Sequence, residues 1–489
     1  MAKGIYDLMV IGGGSAGLVA AAGAGLLGAK VVLINKGKYA EDNLGGECLW
    51  TGCVPSKAFI KSAKVAKLIS KTQDFGLPKL DLPTIDIDQI TARVDGIIRN
   101  IEEHHDSAER FYRDFNLDKI VFGEAKFINR NTVKVNSEEI SARKIIIATG
   151  SSPFIPAIKG LELIKFYTNE NIFRIKTLPA RLAVIGAGPI GVELGQSFSR
   201  LGSKVTIVDK ADRLLPREDI ESSRIIQEIF TEEGIDFIGE NLAIEVQLRG
   251  NGEKELSLED GSKLVVDEIL IASGRKANIN LDLEKANVRT DKRIIVVNDY
   301  MQTSNPNIFA CGDVIGKYQF THSADYEARI VLQNIMKGSL GLPMLKLDYG
   351  YFPWTTFCDP EIARVGLSEP EAVEKYGESN ISIQRMPFSD IDRALTEGEA
   401  KGMIKLLIYK KKLVGAHIIG MSAGEMIHEL VLAMKLNLDI AQISSAVHIY
   451  PTLSGAIRQT INKELGKSLG SSLVKNILNW YWKIFRALN

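Results

Sequence analysis

Cysteine and histidine are scarce in this chain, with four and six among 489 residues. So few cysteines do not make the dense framework of a disulfide-stapled secreted domain. No Cys/His cluster is spaced to complete a metal site, so no resident metal is expected. Net charge is also missing, 60 basic residues against 60 acidic, which excludes the basic footprint of a nucleic-acid binder. No stretch offers the roughly 18 uninterrupted apolar residues of a membrane span. The apolar N-terminal run is broken by Gly12, Gly13 and Gly14 and lacks a small-residue cleavage site after a basic region, so no secretory signal is expected. A reducing cytoplasm is the expected compartment. The length suggests about three domains, each able to bury a core.

Against this scarcity, two of the four cysteines share one short stretch, Gly45-Gly46-Glu47-Cys48-Leu49-Trp50-Thr51-Gly52-Cys53-Val54-Pro55-Ser56-Lys57. In a reducing compartment such a pair reads as a redox couple rather than a staple. Pro55 suits a first helical turn, so Cys53 is expected near a helix N-terminus, where the dipole and free N–H groups favour a thiolate. Gly45, Gly46 and Gly52 let backbone approach a large flat ligand. Cys311 and Cys358 stand alone and read as small buried fillers.

The chain opens with an apolar strand, Asp7 to Ile11, that runs into Gly12-x-Gly14-x-x-Gly17 and a small-residue helix. This is a dinucleotide fingerprint in its required strand–turn–helix setting. The next strand, Val31 to Asn35, ends where an acid ordinarily grips ribose hydroxyls; Asn35 can still hydrogen-bond there but carries no charge. The pattern recurs at Gly186-x-Gly188-Pro189-Ile190-Gly191, followed by Val205 to Asp209. From third glycine to strand-end residue the two copies keep one register, Gly17 to Asn35 and Gly191 to Asp209, so they are two units of one design. Each unit closes on a glycine turn, Ala148-Thr149-Gly150 and Ala272-Ser273-Gly274.

Between the units, apolar residues from Ile90 to Phe111 keep helical spacing and predict one long helix. His104 and His105 lie in an acidic patch of it and read as a solvated face. Short strands are expected around Ile120–Phe122 and Thr132–Val135. After the second unit, Cys311-Gly312-Asp313 returns the chain as a strand and tight turn presenting a carboxylate. From about residue 346, strand-like runs at 363–367 and 402–408 with an apolar helix over 426–436 predict a separate α+β domain.

Taken together, Cys-x4-Cys-Val-Pro-Ser-Lys, the paired fingerprints, the Ala-Thr-Gly and Cys-Gly-Asp turns and a C-terminal His-x-Tyr-Pro-Thr segment resemble the flavin-dependent pyridine nucleotide-disulfide oxidoreductases. That family includes dihydrolipoamide dehydrogenase, glutathione reductase and mercuric reductase, and the likeness spans roughly residues 5 to 460. It implies an α/β chain with two Rossmann-like domains, for FAD and NAD(P), and a C-terminal α+β dimerisation domain. The boundaries it suggests are 1–155 and 276–345 for FAD binding, 156–275 for NAD(P), 346–465 for the homodimer interface and 466–489 for a tail. It assigns Gly12, Gly14, Ser15, Ala16, Gly17, Asn35, Gly46, Glu47, Lys57, Thr149, Gly150, Gly312 and Asp313 to FAD. Gly186, Gly188, Pro189, Ile190, Gly191, Asp209 and Gly274 fall to the nicotinamide dinucleotide. Cys53 would touch the flavin, Cys48 would be the outward interchange thiol, and Lys57 would pair with Glu193. Asp209 favours NADH, because it accepts hydrogen bonds from a ribose hydroxyl and repels a 2′-phosphate, although Lys210 and Arg213 stand close in sequence.

One departure bears on substrate class. Thiol-exchanging members carry a His-Pro-Thr segment with a glutamate five residues after the histidine. Here the run is His448-Ile449-Tyr450-Pro451-Thr452-Leu453-Ser454-Gly455, with Tyr450 at the base position and Gly455 at the orienting one. A phenol with an ordinary pKa near 10 is a poor proton shuttle at neutral pH. Mercuric reductases resemble the chain in placing tyrosine there, beside a soft metal ion, and such ions favour thiolates; their C-terminal cysteine pair and N-terminal metal-binding extension are not expected of this chain. His448 is either a structural hydrogen-bonding residue or a shifted base. The expected activity is therefore NAD(P)H oxidation through FAD and the Cys48–Cys53 pair to a non-thiol acceptor, a soft metal ion or quinone. The alternatives are a dihydrolipoamide-type enzyme with an atypical base and a redox-sensing flavoprotein.

In the tail, Leu473, Val474, Ile477, Leu478, Tyr481, Ile484, Phe485 and Leu488 share one helical face, flanked by Trp480 and Trp482, with Lys475, Asn479, Lys483 and Arg486 largely elsewhere. Such a helix suits a membrane surface or docking on its own dimer.

Overall fold

The computed structural model describes residues 5–37, 43–469 and 472–488. Two compact units form, one from Met1–Val65, Pro83–Asp209 and Asn241–Asp348, the other from Ala66–Leu82, Lys210–Glu240 and Tyr349–Asn489.

The first unit holds both dinucleotide sheets. In the N-terminal one, Tyr6–Ile11 lies between Val31–Asn35 and Glu138–Ile147, all parallel. Lys119–Phe122 adds outside Val31–Asn35. Ile308–Ala310 aligns parallel with the end of Glu138–Ile147, returning the chain after the second dinucleotide fingerprint. The start of that long strand instead pairs antiparallel with Thr132–Val135, which pairs in turn with Ala125–Phe127. Residues Leu8 to Ile11 and Val31 to Ile34 are buried throughout, as expected of parallel strands covered on both faces, and this is why they read as unbroken apolar runs. The second sheet repeats the plan, with Arg181–Ile185 between Lys204–Val208 and Glu268–Ile271, again parallel.

The single helix predicted over residues 90–111 is two. Ile87–Ile101 and Ala108–Phe115 are separated by a wide turn at Glu102–Asp106. Ser107 causes the break: its backbone is extended and its hydroxyl accepts from the Arg110 N–H, capping the second helix. Helical spacing of apolar residues continues across the break, so periodicity does not reveal it. His104 and His105 are exposed on this turn.

The second unit carries a five-stranded antiparallel sheet in the order Trp354–Thr356, Glu361–Gly366, Lys412–Gly420, Met403–Tyr409, Ile381–Pro387. Met426, Ile427 and Leu430 of the helix Ala423–Lys435 and Ala456, Ile457 and Ile461 of Leu453–Leu469 join its core. The latter helix runs through residue 466, where the tail was expected to begin, and a further helix spans Ser472–Leu488. Lys405, in the middle of Met403–Tyr409, is fully buried with its ammonium 2.8 Å from Asp219, 2.8 Å from Glu221 and 2.6 Å from Glu369. Burial disfavours its charge, but the three carboxylates outweigh that and raise its pKa.

Candidate active site

Cys48 sits on the helical turn Gly46–Trp50, and Cys53 opens the helix Cys53–Ser70. Gly52 allows the fold-back between them, since a side chain there would come within 2.9 Å of the Glu47 carbonyl and 3.3 Å of the Cys48 Cα. Both thiols are free and lie within hydrogen-bonding reach of each other. The bond from Cys48 is the largest influence on Cys53, lowering its pKa to about 6 against the opposing effect of enclosure by protein. The Thr321 hydroxyl, 3.2 Å from the Cys53 sulfur, and the Lys57 ammonium lower it further. The same bond pushes Cys48 upward, and burial adds to it. Cys53 is therefore the thiolate and Cys48 the thiol. Cys53 is also the more exposed of the two, so exposure by itself does not mark Cys48 as the outward sulfur; the proton does distinguish them.

Lys57 lies one helical turn beyond Cys53. Its Nζ is 3.0 Å from Oε2 of Glu193, whose side chain is only 7% exposed. Glu193 rides on the helix Pro189–Arg200, of which Pro189 and Ile190 form the first turn, so the ion pair joins the dithiol segment to the second fingerprint.

The cysteine segment is stitched just as closely to the first fingerprint. The Gly45 N–H donates to the Gly13 carbonyl at 2.9 Å. A Cβ on Gly46 would come within 2.6 Å of the Gly14 Cα, and Ser15 hydrogen-bonds Cys48.

Both fingerprints divide the work of their glycines alike. A side chain on Gly12 would overlap the Ala148 carbonyl, and one on Gly17 the carbonyl of Gly12 itself; Gly186 faces Ala272 and Gly191 faces Gly186 in the same way. The middle glycines are open, with only the Gly46 Cα near Gly14 and nothing within 4 Å of Gly188. The helices that follow, Ser15–Leu26 and Pro189–Arg200, have no side chain capping their N-termini. Open backbone beside uncapped N–H groups is what a pyrophosphate requires, so the residues fit a dinucleotide at each site. The strand-end residues also correspond: Asn35 Oδ1 accepts from the Gly13 N–H at 3.0 Å, and Asp209 Oδ2 accepts from the Ala187 N–H at 2.7 Å. One acceptor atom of each is thus committed to holding its own glycine turn, a role that the expectation of a ribose contact did not include.

Around the closing turns, Thr149 and Gly150 are held by Asn278, whose side-chain amide donates to the Thr149 carbonyl at 3.0 Å and whose N–H donates to the Gly150 carbonyl at 2.9 Å. Gly274 keeps a positive φ of 112°. The Gly312 N–H donates to buried Glu327 at 2.6 Å. The Asp313 carboxylate accepts from the Ser151 hydroxyl and lies 3.5 Å from Arg275 Nε. Arg275 also grips both oxygens of Glu47, to which Asn169 donates at 2.7 Å. Burial raises the Glu47 pKa, and Arg275 opposes it. Sequence reasoning missed Arg275, Asn169, Ser151 and Thr321. Only Arg275 had a visible signal, its place directly after the Gly274 turn, and its partner Glu47 lies 228 positions away.

In the second unit, Tyr450 is 73% exposed. Its hydroxyl donates to Asp392 Oδ2 at 2.9 Å, a bond that raises the phenol above its ordinary range. His448 places Nε2 2.9 Å from Glu429 Oε1 and Nδ1 3.0 Å from the Ala446 carbonyl. Both line a cleft with Arg393, Gly455 and Arg458. Glu429 is a further residue that sequence reasoning missed: a carboxylate does orient the histidine, although Gly455 stands where one was sought. Among the described residues no group of three or more His, Cys, Asp or Glu gathers to hold a metal ion.

Residues 6–328 match the family described as pyridine nucleotide-disulphide oxidoreductase, and residues 352–461 match its dimerisation domain. A mercuric reductase of Staphylococcus aureus is 35% identical over 475 residues, covering 95% of this chain and 84% of its own. A dihydrolipoyl dehydrogenase of Bacillus subtilis is 30% identical, covering 95% and 99%. Among solved structures, the HOCl-induced flavoprotein disulfide reductase RclA of Escherichia coli superposes with a TM-score of 0.82 at 28% identity, covering 94% of this chain and 99% of its own. Its Cu(II) complex gives the same TM-score at 26% identity.

Proposed function

This chain belongs to the pyridine nucleotide-disulphide oxidoreductases, and from that premise we propose that its dithiol, supplied with electrons from NAD(P)H, reduces a non-thiol acceptor: a soft metal ion such as Hg(II), or a quinone. The family is FAD-dependent and uses NAD(P)H, and the chain carries its dimerisation domain. When bound, FAD supplies the two-electron relay between nicotinamide and disulfide.

The first fingerprint, with Gly46 and the Gly312-Asp313 turn, would hold FAD, and the second fingerprint with Asp209 the nicotinamide dinucleotide. Lys57 and Glu193 fix the two elements that meet at the thiols. Cys53 keeps its negative charge at neutral pH, so closing the pair to a disulfide releases two electrons and only the Cys48 proton. The proposed compartment is the cytoplasm, where a dithiol persists.

The observation that carries the acceptor class is Tyr450. A phenol held above its ordinary pKa by Asp392 is poorly matched to shuttling protons for a substrate thiol, and reduction of a soft cation needs no such shuttle. The relatives named mercuric reductase and the Cu(II) complex of RclA support the same class. The pairing of His448 with Glu429 favours a second reading, dithiol–disulfide exchange with His448 as the base. An anaerobic acceptor screen of the reduced enzyme tests both, using Hg(II), Cu(II), quinones, glutathione disulfide and dihydrolipoamide in reverse. Turnover of metal or quinone with slow dihydrolipoamide exchange is expected; dihydrolipoamide turnover at ordinary dehydrogenase rates overturns the first reading in favour of the second. NADH is expected to exceed NADPH in kcat/KM, with equal or better use of NADPH as the contrary result.

A further inference from the structure

The helix Ser472–Leu488 takes no part in the chemistry above, yet it is strongly two-faced. At about 100° per residue, Ile477, Tyr481, Ile484 and Leu488 run along the middle of its apolar side. Trp480 and Trp482 stand at the two edges of that side, about 200° apart across it. All six side chains are exposed, from 38% for Ile484 to 79% for Leu488, and the rings of Tyr481, Trp482 and Phe485 lean on one another.

Charge is equally one-sided. Beyond Glu464 the chain has four cations, Lys467, Lys475, Lys483 and Arg486, and no acid. Lys475, Lys483 and Arg486 share the face opposite the apolar side. We infer that this helix lies on anionic phospholipid surfaces, with Tyr481, Ile484 and Leu488 in the acyl boundary, Trp480 and Trp482 at headgroup depth and the cations on the phosphates.

Two observations favour a lipid surface over a protein partner. Tryptophan at both borders of an apolar face matches the depth at which amphipathic rings settle in a bilayer. An acid-free cationic face complements phosphatidylglycerol or phosphatidylserine headgroups. The helix lies on the membrane rather than crossing it: seventeen residues reach only about 25 Å, and among the described residues no helix is long and apolar enough to span a bilayer. A dimer would present two such helices, and the second engages at high effective concentration once the first has bound.

The test uses the full-length, FAD-loaded enzyme in flotation with vesicles of phosphatidylcholine alone or of phosphatidylcholine mixed with phosphatidylglycerol. Binding is expected to the mixed vesicles, weakening as salt rises. Ile484→Asp with Phe485→Asp should abolish it while NAD(P)H turnover stays normal. Lys475→Glu, Lys483→Glu and Arg486→Glu together should weaken it on the order of a hundredfold. A truncation after Leu469 serves as a second variant if the aspartate pair does not fold, and it too should lose flotation. The inference is overturned if the intact enzyme ignores anionic vesicles at low salt, or if the variants float as well as the parent. It also fails if the aspartate pair dissociates the dimer in sedimentation while the parent shows no vesicle binding, since the stripe then belongs to the protein interface.

Discussion

Around Cys53, most of what sets the charge comes from the same stretch of chain. Cys48 is five residues back, Lys57 is four ahead, and the helix N-terminus is Cys53 itself. Around His448 and Tyr450 the partners come from elsewhere, Glu429 from 19 positions away and Asp392 from 58. A thiolate whose largest influence lies five residues back is therefore legible as a motif, although Thr321 joins it from 268 positions away. An imidazole or phenol whose partner arrives by packing is not, and a missing motif residue such as a glutamate at 455 does not mean a missing carboxylate.

The largest expected effect breaks the local side of this contrast. Cys53→Ser should retain FAD yet lower turnover with every acceptor on the order of 10³-fold or more, the scale of removing a reacting group, measured by anaerobic NADH oxidation. Persistent turnover would mean that acceptors bypass the dithiol.

The remote side is probed by Tyr450→His with Gly455→Glu. These should raise dihydrolipoamide or disulfide turnover about 10²-fold without comparable gain toward metals or quinones. A Cβ at 455 would lie 3.3 Å from Thr452 Oγ1, so the threonine side chain must yield by a few tenths of an ångström to admit it. Glu429→Gln sharpens the comparison: it should change metal or quinone reduction less than about twofold, whereas a drop near the general-base scale in disulfide exchange would make His448 the base after all.

A smaller effect falls on stability. Lys57→Met removes the ammonium that faces the buried Glu193 carboxylate. Losing one member of a fully buried pair costs about 3–5 kcal/mol, and because the Lys57 side chain is 36% exposed the expected loss is nearer about 2 kcal/mol in denaturant unfolding. Adding Glu193→Leu should recover part of it, and no recovery would show that the pair is not coupled.

The subtlest measurement is the pH profile of Cys53 alkylation in the reduced enzyme. Its folded pKa, about 6, lies below the ordinary thiol value. The surroundings therefore contribute stability that is fully present above the ordinary thiol range and gone once pH falls through about 6. Reactivity should titrate with a midpoint near 6, and Cys48→Ala should move it upward because the Cys48 bond is the largest cause. An unmoved midpoint would transfer that role to Thr321 and Lys57.

Much of the frame was readable beforehand. Parallel strands buried on both faces leave unbroken apolar runs, and glycines that touch backbone carbonyls cannot be replaced without overlap, so both fingerprints carry their geometry in their spelling. The break at Glu102–Asp106 escaped because apolar spacing persists through it. Arg275 escaped because its place after the Gly274 turn does not show that it will reach Glu47, 228 positions away.

The sequence by itself determined the two repeated dinucleotide units, the helix that begins at Cys53 and the amphipathic face of the tail, since each depends on spacing within a few residues. Only the tertiary structure decided that Thr321 reaches the Cys53 sulfur, that Asn35 and Asp209 brace their own glycine turns, and that His448 and Tyr450 are claimed by Glu429 and Asp392. An acceptor's partner depends on a distance of about 3 Å between groups remote in the chain, and no local pattern encodes it.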